Sequence, residues 1–165
     1  LHPGSREVAY AFYIKAISLY EQIVDVGRDQ SNTEGALVAL QDVVQRFPDT
    51  EYARDATLKI DLTNDHLAGK EMEIGRFYQS QGLYLAAIVR FRTVIDKFDT
   101  TSHAPEALHR LVESYLAMGI PEEATKSAAV LGNNYPESKW YQRSYKLIGR
   151  WVPDAPRKMA NQGGR

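Results

Sequence analysis

Ile74-Gly75-x-x-Tyr78-x-x-x-Gly82-x-Tyr84-x-x-Ala87-x-x-x-Phe91-x-x-Val94 is the stretch whose reading decides the fold. Its small and apolar residues recur at steps of three and four on either side of Gly82, which is the period of helix faces. Where two helices cross closely only small side chains fit, so Gly75 and Ala87 are assigned to the crossing. Tyr78 and Phe91 then fill the space beside it. Gly82 supplies the left-handed backbone that ends one helix before the next begins. The stretch predicts a helical hairpin.

The same pattern returns 37 residues later, with Gly119 answering Gly82 and Ala124 answering Ala87. Leu108, Leu111, Tyr115 and Pro136 stand at matching places, and Val112 stands where the first copy has Gly75. Three turns echo one another: Phe47-Pro48-Asp49-Thr50, Phe98-Asp99-Thr100-Thr101 and Tyr135-Pro136-Glu137-Ser138. Ala36 precedes Ala87 by 51 residues, fourteen more than the repeat, which is an insertion of about four helical turns. This self-similarity resembles the tetratricopeptide (TPR) pattern, in which two antiparallel helices per repeat stack into a solenoid. The fold class predicted is therefore all-α, a TPR-like helical-hairpin solenoid. Gly75, Tyr78, Gly82, Ala87, Phe91, Tyr115, Gly119 and Ala124 are its repeat-packing residues.

Helices are predicted at about 5–24, 33–47, 83–98, 103–118, 121–134 and 139–150. Ser31-x-x-Glu34 has the spacing of a capping box before the second. The stretch 51–81 has no proline and two glycines, so it reads as one fused helix, about 46 Å long at 1.5 Å per residue. Gly69 is its weak point. Residues 1–150 form the repeat region, three units of which the first carries an extended loop at about 25–32; residues 151–165 read as a flexible basic tail. Leu1-His2-Pro3 looks like the helix-ending proline of a further repeat, so the N-terminus is expected to be a cut within a longer array. Such a cut would leave the first helix with an open face and a tendency to self-associate.

Composition narrows function mainly by exclusion. Apolar residues make up 44% and charged residues 25% of 165, as in ordinary globular proteins, which excludes a disordered chain. Net charge is -1, so the total gives no sign of nucleic-acid binding. There is no cysteine, which removes thiolate catalysis, disulfides and Cys-based zinc sites. Charge does have a direction: from Lys139 to Arg165 there are seven basic residues and one acid, Asp154. That end could meet acidic lipid head groups or an acidic partner surface, against the simpler reading of a solvated helix and loose tail.

Three features narrow the family. They are the turn Arg46-Phe47-Pro48-Asp49-Thr50-Glu51-Tyr52-Ala53 with its echo at Tyr135, the fused segment Ala56 to Tyr78, and the loop Tyr20 to Gln30. Together they resemble the C-terminal three repeats of the BamD family of TPR-repeat lipoproteins, which assemble outer-membrane proteins, in its alphaproteobacterial style. The resemblance covers about residues 1–150. It implies a non-enzymatic scaffold subunit of the β-barrel assembly machinery, with no cofactor, at the periplasmic face of the outer membrane. The partners it implies are the periplasmic region of BamA, other Bam lipoproteins and unfolded outer-membrane proteins. Membrane attachment would come only through an N-terminal lipid that this sequence lacks. The candidate partner-binding residues are Asp25, Arg28 and Asp29 in the loop, Asp65, His66 and Lys70 on the long helix, and Trp140 and Tyr141 near the end. A periplasmic TPR scaffold of the cell-envelope division type is the alternative, and a break in the long helix near Gly69 would favour it.

A metal-dependent helical enzyme is the reading from another class. Glu106-x-x-His109 has the spacing of half a di-iron carboxylate motif, which needs a second copy and two further glutamates. No second copy is present, so His103, Glu106 and His109 read as a solvated helix face, with no catalytic or metal residue assigned. No phosphate-binding glycine loop or Gly-x-Ser-x-Gly elbow occurs.

Overall fold

Phe47, Phe98 and Tyr135 end three helices in the same way, and the turn that follows each one is held by the same bond. The amides of Thr50, Thr101 and Ser138 donate to the carbonyls of Phe47, Phe98 and Tyr135 at 3.1, 3.1 and 3.0 Å. The Thr50 hydroxyl then accepts the Ala53 amide at 3.2 Å, and that of Ser138 accepts the Trp140 amide at 3.1 Å, each capping the following helix. The aromatic-turn repeat in the sequence is therefore a repeat of backbone geometry. The computed structural model describes residues 6–23, 25, 28 and 30–151. The predicted tail beyond Trp151 and the segment Leu1-His2-Pro3 lie outside the described residues.

Among the described residues seven helices follow in order: α1 (Arg6–Glu21), α2 (Gln30–Arg46), α3 (Glu51–Ser80), α4 (Tyr84–Lys97), α5 (Ala104–Ala117), α6 (Pro121–Asn134) and α7 (Lys139–Trp151). The described residues contain no strand. The chain is all-α. α3 runs unbroken through Gly69 for 30 residues, as the fused-helix reading expects. α2 begins at Gln30, within the stretch expected to be loop, so Ser31 lies inside the helix and is no cap. The reason is the position of the buried face. It opens at Thr33 and continues through Ala36, Leu40 and Val43, and a first buried residue at Thr33 requires helical backbone ahead of it.

The chain divides into two compact units, residues 1–67 and 68–165, with α3 running through the division. In the first, Ala16, Leu40, Val43 and Ala56 form the buried centre, flanked by Phe12, Tyr13, Ile17, Tyr20 and Tyr52. α1 contributes small residues, Ala9 and Ala16, at its closest approaches, while Ile14 is left exposed. Tyr13 donates to Asp55 Oδ2 at 2.6 Å, and Lys59 reaches the same carboxylate at 3.0 Å.

In the second unit α5 packs against α4, α6 and α7. One cluster joins Ala68 and Met72 of α3 to Ala87, Ile88, Phe91 and Val94 of α4 and to Ala107 and Leu111 of α5. Another joins Val112 and Leu116 of α5, Ala124 and Ala128 of α6 and Ile148 of α7. The two hairpin glycines take the predicted left-handed conformation, φ 73° at Gly82 and 74° at Gly119. At each, two bonds close the preceding helix. Gly82 and Leu83 donate to Gln79 and Tyr78 at 3.0 and 2.9 Å, and Gly119 and Ile120 to Leu116 and Tyr115 at the same distances. Gly75 is buried against Phe91, whose Cε1 would lie 2.5 Å from a Cβ added there. Tyr78 and Tyr115 are half-buried beside the first cluster, and Ala87 and Ala124 are fully buried.

Candidate functional site

α5 is covered on three sides, and that changes the reading of His109. The ring is 4% exposed, where the sequence placed it on a solvated face. α7 packs over that side of α5, and this long-range contact has no trace in the local pattern. Both ring nitrogens are engaged: Nδ1 lies 2.7 Å from the buried Ser144 hydroxyl of α7, and Nε2 lies 3.3 Å from Glu113 Oε1. Burial, the largest single influence on Glu113, pushes its carboxyl upward. The hydrogen bond and charge of His109, with those of Arg110, outweigh this and hold it below its ordinary value.

Glu106 is also occupied. Arg76 reaches its Oε1 at 3.2 Å and Arg110 at 3.3 Å. The pair Glu106 and His109 is therefore tied into ion pairs and a buried hydrogen bond. Among the described residues no three His, Cys, Asp or Glu side chains are grouped to hold a metal ion. His103, half-buried, lies against Gly69.

Between α5 and α7 runs a groove of about 300 Å³. Arg143, Lys146 and Arg150 of α7 line one wall and Arg110 and Glu113 of α5 the other, with Trp140 between them. The Trp140 indole is 5.3 Å from the His109 ring and has three cations around it: Lys139 at 4.9 Å, Arg143 at 5.1 Å and Arg110 at 5.8 Å. Glu113 is already shared by His109, Arg110 (2.9 Å) and Gln79 (3.3 Å). Among the described residues Arg143, Lys146 and Arg150 have no carboxylate partner. The groove is a basic one.

Of the candidate residues read from sequence, Trp140 lies in this groove and Tyr141 does not. Tyr141 packs on Gly132 of α6, where an added Cβ would meet its ring at 2.5 Å, and with Tyr145 it borders a separate hollow of about 510 Å³. Asp25 is half-buried, Arg28 is exposed with its amide 3.0 Å from the Asp25 carbonyl, and Asp29 lies outside the described residues. On α3, His66 is exposed and Asp65 half-buried in the first unit, while Lys70 is half-buried in the second. Sequence reasoning missed Arg110, Arg143, Lys146 and Arg150. The signal was present on α7, where Lys139, Arg143, Lys146 and Arg150 stand at steps of four, three and four on one helix face.

With this geometry in view, the family model for the outer membrane lipoprotein YfiO matches residues 1–131. The chain belongs to the YfiO outer membrane lipoprotein family. Among its relatives, the outer membrane protein assembly factor BamD of Caulobacter vibrioides is 61% identical over 148 residues, covering 90% of this chain and 48% of the relative. That of Rickettsia prowazekii is 55% identical, covering 90% and 59%. The one from Neisseria meningitidis serogroup A is 31% identical, covering 93% and 59%. The chain spans about half to three-fifths the length of these YfiO-family relatives. The match to the family model ends before α7 begins. No helix among the described residues is long and apolar enough to cross a membrane.

Proposed function

We propose that this chain is part of a non-enzymatic scaffold subunit of the machinery that assembles β-barrel proteins in the outer membrane. The observation that carries the reading is its 61% identity over 148 residues to a protein named for that assembly. The helical hairpins support it, because helix-repeat proteins present extended surfaces to other proteins. The unbroken α3 speaks for the same family and against the cell-envelope division type, which calls for a break near Gly69.

In this reading the full protein is held by a lipid at the periplasmic face of the outer membrane. This region docks the periplasmic part of BamA and companion lipoproteins. The contact residues proposed are Asp25, Arg28 and Asp29 between α1 and α2, Asp65, His66 and Lys70 on α3, and Trp140 and Tyr141 on α7. A pull-down from envelope extract with the chain as bait tests it. Recovery of BamA is the expected result, and recovery of peptidoglycan-synthesis proteins without BamA overturns the proposal.

A further inference from the structure

The groove between α5 and α7 carries more than the assembly reading asks of it, and its chemistry stands independently of that reading. We propose that it binds an acidic, extended polypeptide segment of a partner protein. The first observation is charge: Arg143, Lys146 and Arg150 line the groove with no carboxylate partner among the described residues, and Arg110 faces them. The acid that lines the groove on α5, Glu113, is already held by Arg110, His109 and Gln79. It is not free to neutralise the cations of α7. These exposed cations are open to the anionic groups of a ligand.

The second observation is dimension. Lys139 and Arg150 are eleven residue steps apart, about 16–17 Å of helix. An extended chain rises about 3.3 Å per residue, so about five residues cover that length. Alternate side chains of such a chain point the same way about 6.6 Å apart. The cations of α7 follow one another at three- and four-residue steps, about 4.5–6 Å along the axis. Acids at every second position of the ligand can therefore each meet a cation.

The third observation separates a peptide from a membrane surface. Ser144 and Ile148 of α7 are fully buried against the rest of the unit, so the apolar surface that the helix exposes is confined to Tyr145 and Trp151, outside the groove. Trp140 is half-buried beside the His109 ring of α5 and flanked by Lys139, Arg143 and Arg110. A planar surface touches the rims of such a groove, whereas a single chain reaches its floor.

Fluorescence anisotropy with a labelled peptide alternating glutamate and serine, on the whole 165-residue chain, tests the proposal. A glutamine-for-glutamate peptide and phosphatidylcholine–phosphatidylglycerol vesicles serve as comparisons. Saturable binding of the glutamate peptide alone is expected, weakening as salt rises. In the amide NMR spectrum the shifts should centre on residues 109–113 and 139–150. Arg143→Glu with Lys146→Glu alters two exposed side chains and should weaken binding about tenfold or more. No saturable binding, unchanged affinity in the folded double variant, or capture by vesicles in place of the peptide overturns the proposal. Shifts centred elsewhere overturn it too, and that map is made on the unaltered chain, so it decides even if the variant fails to fold.

Discussion

Gly75→Ala and Gly35→Ala are the same chemical change inside two helices, and the structure assigns them opposite signs. Adding a methyl to a helical glycine gains about 1 kcal/mol of helix propensity. At Gly35 of α2, which is exposed, nothing lies within 4 Å of the new Cβ, so the gain survives at about 0.5–1 kcal/mol. At Gly75 of α3 the new Cβ would lie 2.5, 2.8 and 3.0 Å from Cε1, Cδ1 and Cζ of Phe91. That ring is 0% exposed and seated among Met72, Ala87 and Leu111, so it has nowhere to swing. Overpacking a well-filled core costs about 1–3 kcal/mol, and three ring atoms in collision place this site at the upper end. The net loss after the propensity gain is about 1–2 kcal/mol. For a chain of this size that lowers Tm by about 2–8 °C.

Because the chain has two compact units, a single denaturation curve can mix two transitions. Native-state amide exchange reads them apart: α4 amides report Gly75→Ala and α2 amides report Gly35→Ala. Phe91→Leu shortens the obstructing ring, so it should cost less in the Gly75→Ala background than in the natural chain, by about 1 kcal/mol in a double-mutant cycle. If Gly75→Ala protects α4 as much as Gly35→Ala protects α2, the crossing is not close and the packing argument fails.

Three further outcomes rest on particular atoms. Ser144→Ala leaves the buried Nδ1 of His109 without its partner and should cost about 1–3 kcal/mol in thermal unfolding; an unchanged Tm would mean that the ring repacks or finds water. Gly82→Ala and Gly119→Ala should each cost about 1–2 kcal/mol although nothing crowds either site, because φ near 74° is the burden there. Tyr13→Phe should destabilise the first unit at neutral pH by no more than about 1 kcal/mol, since the Tyr13–Asp55 pair is partly open to solvent. The hydrogen bond from Tyr13, then that from Lys59, lowers Asp55 below 3.8, so its contribution is present above that pH and lost as pH falls through the lowered value. The bond to Asp55 raises Tyr13 from 10.0 to about 12, so its contribution is present below pH 10 and lost toward 12. A gap between the natural chain and the variant that stays constant from acid to alkali would refute the pairing.

What was legible in the sequence is what the backbone itself demands. Gly82 and Gly119 declare a left-handed residue, Gly75 declares a close approach, and Phe47, Phe98 and Tyr135 declare a turn that repeats in its hydrogen bonds. Each requirement sits on one residue and its near neighbours. The start of α2 was misplaced because Ser31-x-x-Glu34 satisfies a local rule, while Thr33, buried in the packed helix, pulls the boundary earlier. His109 was misread for a different reason. The side of α5 that carries it is covered by α7, about thirty residues further on, and a polar residue there looks identical to a solvated one until that helix is in place. The cation stripe on α7 could be read from spacing alone, but its opposite wall could not.

The joint between α5 and α7 is polar where an apolar one would serve stability equally well. Burying His109 and Ser144 together is tolerable because each satisfies the other at 2.7 Å. A slide of α7 by one turn, about 5.4 Å, would break that bond and leave two buried polar groups unpartnered, at about 1–3 kcal/mol each. Ile148, Leu147 and the Tyr141 ring on Gly132 resist such a slide as well, but apolar contacts are less selective for position than a buried hydrogen bond. The hydrogen bond therefore adds selectivity to the register in which Arg143, Lys146 and Arg150 face Arg110 and Glu113. Replacing both partners together, His109→Leu with Ser144→Ala, removes the penalty along with the bond and should change Tm little. Its effect should appear in the groove, as faster amide exchange along α7 and a more mobile Trp140 by fluorescence anisotropy. If α7 stays as protected as in the natural chain, apolar packing sets the register and the polar pair is only accommodated.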